Sequence, residues 1–171
     1  MEIVEVTLDN FGLYHEHFNR LVKENGPELK NIYSPLMEDS DYESHLKKFK
    51  TFYRGKGRQG QIFAIFKSNH MYGSVSYKQK YPLEAYKHRA SLAIGIERDY
   101  QSKGFGLQLT KLALEASKNF GYEYMDLEVF DSNPKAKSLY EKLGFLEYGF
   151  MSDHARIYGH SVGNYYMYLK L

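Results

Sequence analysis

The spacing of apolar residues predicts a strand and two helices in the first third of the chain. Apolar and polar positions alternate over Glu2–Leu8, which predicts a strand. Apolar residues then recur at helical spacing from Phe11 to Val22, which predicts a first helix. Asp41 is a good helix cap, and the stripe Tyr42, Leu46, Phe49 and Phe52 predicts a second helix after it.

Strands and helices alternate through the rest of the chain. Gln61–Phe66 and Met71–Tyr77 predict a hairpin around Ser68-Asn69-His70. Leu107–Phe120 is helical in spacing, and a last helix begins after Asn133 and ends at Gly144. The other predicted strands are His88–Ile96, Tyr122–Phe130, Phe145–Met151 and Asn164–Leu171, the last two antiparallel and joined across Asp153–Gly163. This order predicts one domain over residues 1–171, an α/β sandwich with a mixed sheet and helices on both faces.

Composition narrows the class of protein. The chain has 171 residues, 43% of them hydrophobic and 26% charged, which is typical of a globular domain. The net charge of +2 gives no reason to expect nucleic acid or an acidic membrane as a partner. Charged residues interrupt the first twenty positions, and no apolar run approaches the ~20 residues of a membrane span. We therefore expect a cytoplasmic protein.

A glycine-containing turn is the first candidate for chemistry. Gln101-Ser102-Lys103-Gly104-Phe105-Gly106 follows a strand-like run and opens a helix-like run. In that context backbone N–H groups can converge on a phosphate, helped by the positive end of the helix dipole. The alternative is that Gly104 and Gly106 only make a tight turn. A second glycine motif, Gly55–Gly60, follows a helix and precedes a strand, so we expect a mobile loop there.

A second motif lies about thirty residues further on. Asn133-Pro134-Lys135-Ala136-Lys137-Ser138-Leu139-Tyr140-Glu141-Lys142-Leu143-Gly144-Phe145 has the form Asn-x-x-Ala-x-x-Leu-Tyr-x-x-x-Gly-Phe. Together with Gln-x-x-Gly-x-Gly, in this order and at this separation, it resembles the GNAT superfamily of acetyl-CoA-dependent N-acetyltransferases. The resemblance runs from about Ser91 to Phe145. It implies a mostly antiparallel central sheet and an enzyme that moves acetyl from acetyl-CoA to a primary amine.

The resemblance also implies roles for individual residues. Tyr140 would donate a hydrogen bond or a proton to the departing thiolate. Glu128, in Leu127-Glu128-Val129, would be the base for the amine, since Ser91–Ile96 contains no carboxylate. The competing interpretations of Glu128 are a solvent-facing strand residue or a base that acts through water. The residues expected to hold the cofactor are Ile94, Gly95, Ile96, Gln101, Ser102, Lys103, Gly104, Phe105, Gly106, Asn133 and Ala136.

Absent residue types limit the mechanism further. The chain has no cysteine, so we expect direct transfer in a ternary complex rather than an acyl-enzyme. The seven histidines show no convincing ligand spacing, and no metal is expected. His15 and His17 are two residues apart on a predicted helix and do not share a face, so we expect a solvated pair.

The acceptor site is the least defined part of the prediction. The resemblance places it in Tyr33–Asp39 and His154–Asn164. In or beside these segments, Glu38, Asp39 and Asp153 are either attractors for a cation or solvated loop acids. The aromatic segment Asn164–Leu169 is either a substrate wall or the edge of a homodimer. Two other functions stay open, a non-catalytic CoA-binding regulatory module and a protein-interaction module.

Overall fold

The computed structural model describes residues 1–25, 41–54 and 59–171. Its strands are β1 (Glu2–Glu5), β2 (Gly60–Lys67), β3 (His70–Gln79), β4 (Arg89–Ile96), β5 (Tyr124–Phe130), β6 (Leu146–Ile157) and β7 (His160–Lys170). The α-helices of these ranges are α1 (Phe11–Asn25), α2 (Tyr42–Phe49), α3 (Phe105–Phe120) and α4 (Pro134–Lys142). Two features predicted from the sequence lie wholly or partly outside the described residues: the Gly55–Gly60 loop and the acceptor segment Tyr33–Asp39 with its acids Glu38 and Asp39.

The strands form one sheet in the order β1-β2-β3-β4-β5-β7-β6. The pairs β1–β2, β2–β3, β5–β7 and β6–β7 are antiparallel, whereas β4 and β5 are parallel. The prediction of a mixed, mostly antiparallel sheet in an α/β fold is therefore confirmed.

The chain divides into two compact units. The first unit is Met1–Lys78 with Ala93–Ala113, and the second unit is Gln79–Leu92 with Leu114–Leu171. The first unit contains α1, α2, β1, β2, most of β3, the end of β4 and the start of α3. The second contains the start of β4, the end of α3, β5, α4, β6 and β7. A single domain over residues 1–171 stays a prediction.

Aromatic and aliphatic side chains form the core of the first unit. The rings of Phe11 in α1 and Phe49 in α2 are buried and their centroids lie 4.9 Å apart. Val6, Ile62, Ala64 and Met71 complete this cluster. The predicted cap of α2 is confirmed, since the Asp41 side chain accepts a hydrogen bond from the backbone N–H of Ser44 at 2.8 Å.

The predicted hairpin of β2 and β3 is present, with longer strands and a shorter turn. Only Ser68 and Asn69 separate the strands, and both adopt left-handed backbone conformations, with φ of 50° and 61°. Two consecutive left-handed residues fit a tight hairpin loop, whose twist matches that of the strands. His70, expected in the turn, is the first residue of β3.

The last hairpin differs most from the prediction. The expected connection over Asp153–Gly163 is wrong, because β6 and β7 continue until only Tyr158 and Gly159 separate them. β6 is the terminal strand of the sheet and most of its residues are exposed, so its polar positions resemble a loop. The dimer-edge interpretation of Asn164–Leu169 is also wrong, since β7 pairs with β5 on one side and β6 on the other.

Candidate active site

The turn before α3 has the backbone geometry of an anion site. Ser102 and Gly104 both have left-handed conformations, with φ of 59° and 83°, and α3 begins at Phe105. Alternation of left-handed residues turns successive N–H groups toward one point, and the dipole of α3 favours negative charge there. A Cβ atom built at Gly104 would meet nothing nearer than Gln108 Nε2 at 4.0 Å, so a ligand can approach the backbone. These features fit the phosphates of a coenzyme.

Gln101 and Lys103 make different contacts at this turn. Gln101, one of the residues expected to hold the cofactor, donates from Nε2 to the carbonyl of Ile96 at 2.9 Å. Lys103 Nζ lies 4.9 Å from the ring centroid of Tyr100. Gln101 therefore ties the turn to the end of β4, and Lys103 supplies positive charge at the turn.

The end of β4 contacts α1 and β3. A Cβ atom at Gly95 would lie 2.6 Å from Leu21 Cδ1, so the glycine permits close packing of α1. Ile96 packs on β3, since a Cβ atom built at Gly73 would lie 3.1 Å from Ile96 Cγ1. Among the described residues, the parallel register of β4 and β5 ends at Ser91 and Asp126, although both strands continue.

Glu97, directly after β4, is a buried carboxylate that sequence reasoning missed. It accepts from His17 Nδ1 at 2.8 Å, from Arg20 Nε at 2.9 Å and from His70 Nε2 at 3.3 Å. Burial raises the pKa of Glu97, but the hydrogen bonds from these three side chains outweigh it and lower the pKa to about 2. A carboxylate with so low a pKa is a weak base at neutral pH, so we assign Glu97 a structural role.

The expectation that His15 and His17 form a solvated pair is wrong. His17 is fully buried, and burial lowers its pKa despite the bond to Glu97. His17 Nε2 has no partner among the described residues. His15 Nδ1 lies 3.0 Å from Nδ1 of His45, whose pKa burial lowers to about 4. One helix thus directs the two histidines to different neighbours, as the two-residue spacing predicts.

Helix α4 carries the second sequence motif. The Asn133 side chain accepts from the backbone N–H of Ala136 at 3.1 Å, so its capping use is present. Tyr140 is 5% exposed, and its ring centroid lies 5.7 Å from that of Phe145. Lys137 Nζ lies 4.3 Å from the ring centroid of Tyr165, which brings α4 against the face of β7 that carries Tyr165.

The other face of β7 lies beside Glu128. Glu128 is exposed and pairs across the strands with Tyr166, and its Oε2 accepts from Asn164 Nδ2 at 3.1 Å. Asn164 is 2% exposed, so a buried amide fixes the position of an accessible carboxylate. This arrangement leaves Glu128 open to a ligand.

A second buried carboxylate, Asp126, also escaped sequence reasoning. Arg89 binds it through two hydrogen bonds, Nε to Oδ2 at 2.9 Å and Nη2 to Oδ1 at 2.7 Å. Lys80 Nζ lies 3.0 Å from Oδ1. No sequence signal marks this cluster, because its members come from β5, β4 and the segment between β3 and β4.

Residues 1–25, 41–54 and 59–171 contain neither a candidate metal-binding cluster nor a candidate membrane-spanning helix. No group of three or more histidine, aspartate and glutamate side chains lies close enough there to hold a metal ion. Within the same ranges, no helix combines the length and apolar character needed to cross a membrane.

A mixed sheet in which a turn with the backbone geometry of an anion site joins a strand to a helix is typical of coenzyme-binding α/β proteins. The chain belongs to the GNAT acetyltransferase family, whose model matches residues 26–145. It is 31% identical over 85 residues to YwnH of Bacillus subtilis, whose name assigns it provisionally to the phosphinothricin acetyltransferases. That alignment covers 50% of this chain and 52% of YwnH, so the chain spans about half the length of this relative.

Solved structures share the fold over almost the whole chain. A phosphinothricin acetyltransferase from Sinorhizobium meliloti has a TM-score of 0.82 at 19% identity, covering 99% of this chain and 88% of that one. A ribosomal-protein-alanine N-acetyltransferase from Brucella melitensis has a TM-score of 0.79 at 17% identity, covering 100% of both chains. The Sinorhizobium meliloti structure is a complex with acetyl-CoA. The predicted membership of the GNAT family is confirmed by the family model.

Proposed function

We propose that this chain transfers acetyl from acetyl-CoA directly to a primary amine in a ternary complex. The observation that carries the proposal is the left-handed pair Ser102 and Gly104 at the start of α3, in a chain of the GNAT family. The N–H groups of Lys103–Gly106 would hold the pyrophosphate, and Lys103 would add positive charge. Ile94, Gly95 and Ile96 would lie along the pantetheine chain.

Two side chains would move the protons. Glu128 would accept a proton from the amine, whose nitrogen lone pair forms the new C–N bond to the acetyl carbon. The electrons of the C–S bond leave with sulfur, and Tyr140 would give that sulfur a proton, so CoA departs as the thiol. Solvent then restores the proton of Tyr140 and removes the one held by Glu128. Backbone N–H groups of β4 would stabilise the oxyanion.

The acceptor is an amine of a small molecule or of a peptide N-terminus. Relatives support both classes, since one is named for phosphinothricin and another for ribosomal-protein alanine. Cytoplasmic location stays a prediction from the sequence, as does a homodimer, although not one formed through an edge of β7.

The test begins with calorimetry of acetyl-CoA, with NADH and ATP as controls. Saturable binding of acetyl-CoA alone, followed by release of the CoA thiol with an amine, is the expected result. Binding without thiol release across an amine panel would favour the non-catalytic CoA-binding module. Absence of acetyl-CoA binding would reject the proposal and favour a protein-interaction module.

A further inference from the structure

One face of the second unit combines aromatic rings with two separated charges. Tyr166 and Tyr168 of β7 alternate with Tyr165, so they lie on the face away from α4. Tyr148 of β6 joins them, with its ring centroid 6.1 Å from that of Tyr166 and 6.0 Å from that of Tyr168. Tyr124 of β5 lies 6.3 Å from Tyr168, centroid to centroid. We call this face, with Asp126 and Glu128 of β5, the acceptor wall.

One end of the acceptor wall has an excess of positive charge. Arg89 donates two hydrogen bonds to Asp126, and its positive charge by itself neutralises that carboxylate. Lys80 adds a second cation to the same carboxylate. The side chains of Arg89 and Lys80 retain 24% and 19% exposure, so both can contact a ligand. Asp126, Arg89 and Lys80 together carry a net charge of about +1.

The other end of the wall is negative. Glu128 is exposed, and the hydrogen bond it accepts comes from the neutral side chain of Asn164. Asp126 and Glu128 are two residues apart on β5, so their Cα atoms lie about 7 Å apart on the same face. The wall therefore presents an anionic and a cationic pole at close separation, beside tyrosine rings.

We propose that the acceptor wall binds an α-amino acid as the acetyl acceptor. Its ammonium group binds Glu128, its carboxylate binds Lys80 and Arg89, and its side chain packs on the tyrosines. An α-amino acid has one carbon between its two charges, and two hydrogen bonds of about 3 Å extend that span to the separation of the poles. A peptide N-terminus lacks a carboxylate beside its amine and leaves the cationic pole without a partner. The inference rests on the proposed function for the reaction and adds the class of acceptor.

Three acceptors test this proposal: phenylalanine, phenylalaninamide and phenethylamine. All three have a phenyl ring and an amine, but only phenylalanine has a carboxylate. Lys80→Met removes the excess cation and leaves the pair of Arg89 and Asp126 in place. We expect kcat/KM for phenylalanine to fall roughly tenfold, the effect of one lost charge pair of about 1.4 kcal/mol, with little change for the other two. Each acceptor is compared between variant and parent, so differences in amine pKa cancel. Lys87→Met is the matched control, since Lys87 is exposed and pairs with Glu84.

Binding measured without turnover separates the two proposals. Calorimetry of phenylalanine with protein saturated with CoA should show binding that weakens in Lys80→Met and not in Lys87→Met. If no amine releases thiol but this pattern holds, the acceptor wall is supported and the proposed function fails. If amines are acetylated but Lys80→Met affects all three acceptors equally or not at all, the proposed function holds and the wall is overturned. Absence of phenylalanine binding to the parent protein also overturns the wall.

Discussion

Glu97→Ala tests what organises the end of β4. The mutation removes a carboxylate with 7% exposure that accepts hydrogen bonds from His17, Arg20 and His70. Its pKa of about 2, against 4.5 for an ordinary glutamate, corresponds to about 3 kcal/mol of stabilisation. Loss of one member of a buried ion pair costs a similar amount. We expect the free energy of unfolding at pH 7 to fall by about 3 kcal/mol.

The same residue should shape the acid sensitivity of the fold. A lowered pKa means that the stabilisation from Glu97 is complete above pH 4.5 and is lost as the pH falls toward about 2. His17 affects the stability at higher pH. Burial lowers its pKa in the folded protein, so the unfolded chain binds the proton first as the pH falls below 6.5, and the fold loses stability. Below pH 4.5, Glu97→Ala should therefore show a shallower loss of stability with falling pH than the parent protein.

Urea unfolding followed by circular dichroism measures both effects, since the chain has no tryptophan for fluorescence. Glu84→Ala is the matched control, because Glu84 is an exposed partner of Lys87 and should give no measurable change. Glu97→Gln should be intermediate, since its amide oxygen can still accept from His17 and Arg20. Equal unfolding midpoints for Glu97→Ala and the parent at pH 7, or parallel stability curves from pH 5 to pH 3, would refute the reasoning.

Three further predictions concern the turn, the proposed acid and the packing of β4. Gly104→Ala should weaken acetyl-CoA binding about tenfold or more in calorimetry. The control Gly121→Ala has a comparable φ, +107° against +83°, and should lower only the stability, by about 1–2 kcal/mol. Equal acetyl-CoA affinity in the two variants would refute the assignment of the turn to phosphate. Tyr140→Phe should lower kcat about a hundredfold with unchanged acetyl-CoA affinity, measured by thiol release and calorimetry, and unchanged turnover would remove Tyr140 from the acid role. Gly95→Ala should destabilise the fold by about 1–3 kcal/mol, because the new Cβ lies 2.6 Å from Leu21 Cδ1. Adding Leu21→Val should recover part of that loss in urea unfolding, and no loss in Gly95→Ala would contradict the contact.

Features set by neighbouring residues could be predicted from the sequence. The caps at Asp41 and Asn133 and the glycine turn each depend on side chains and backbone groups within a few residues. The left-handed conformation of Gly104 follows from residue type, but that of Ser102 does not, since serine rarely adopts it. The hairpin turn at Ser68 and Asn69 is predictable for the same reason, since it too depends on adjacent residues.

Strand length at the end of the sheet could not be predicted in the same way. Alternation identifies a strand only when one face is buried, because the buried face is what excludes polar residues. Among the strands of the described residues, β6 has no neighbour on its outer side, and most of its positions are exposed on both faces. The sequence of Ser152–Ile157 therefore resembles a loop, although its last residues pair with β7.

The buried carboxylates Glu97 and Asp126 show why local pattern cannot reveal this part of the site. A carboxylate is buried only if cations and hydrogen-bond donors offset its desolvation, and those partners need not be near it in sequence. Glu97 is 80 residues from His17 and 77 from Arg20, and Asp126 is 37 from Arg89. In the sequence each acid follows or lies within an apolar strand and looks like a solvent-facing residue. Glu128, two residues after Asp126, has the same local pattern but is exposed. The family resemblance, and not this local pattern, is what distinguishes Glu128 from Asp126 as the candidate base.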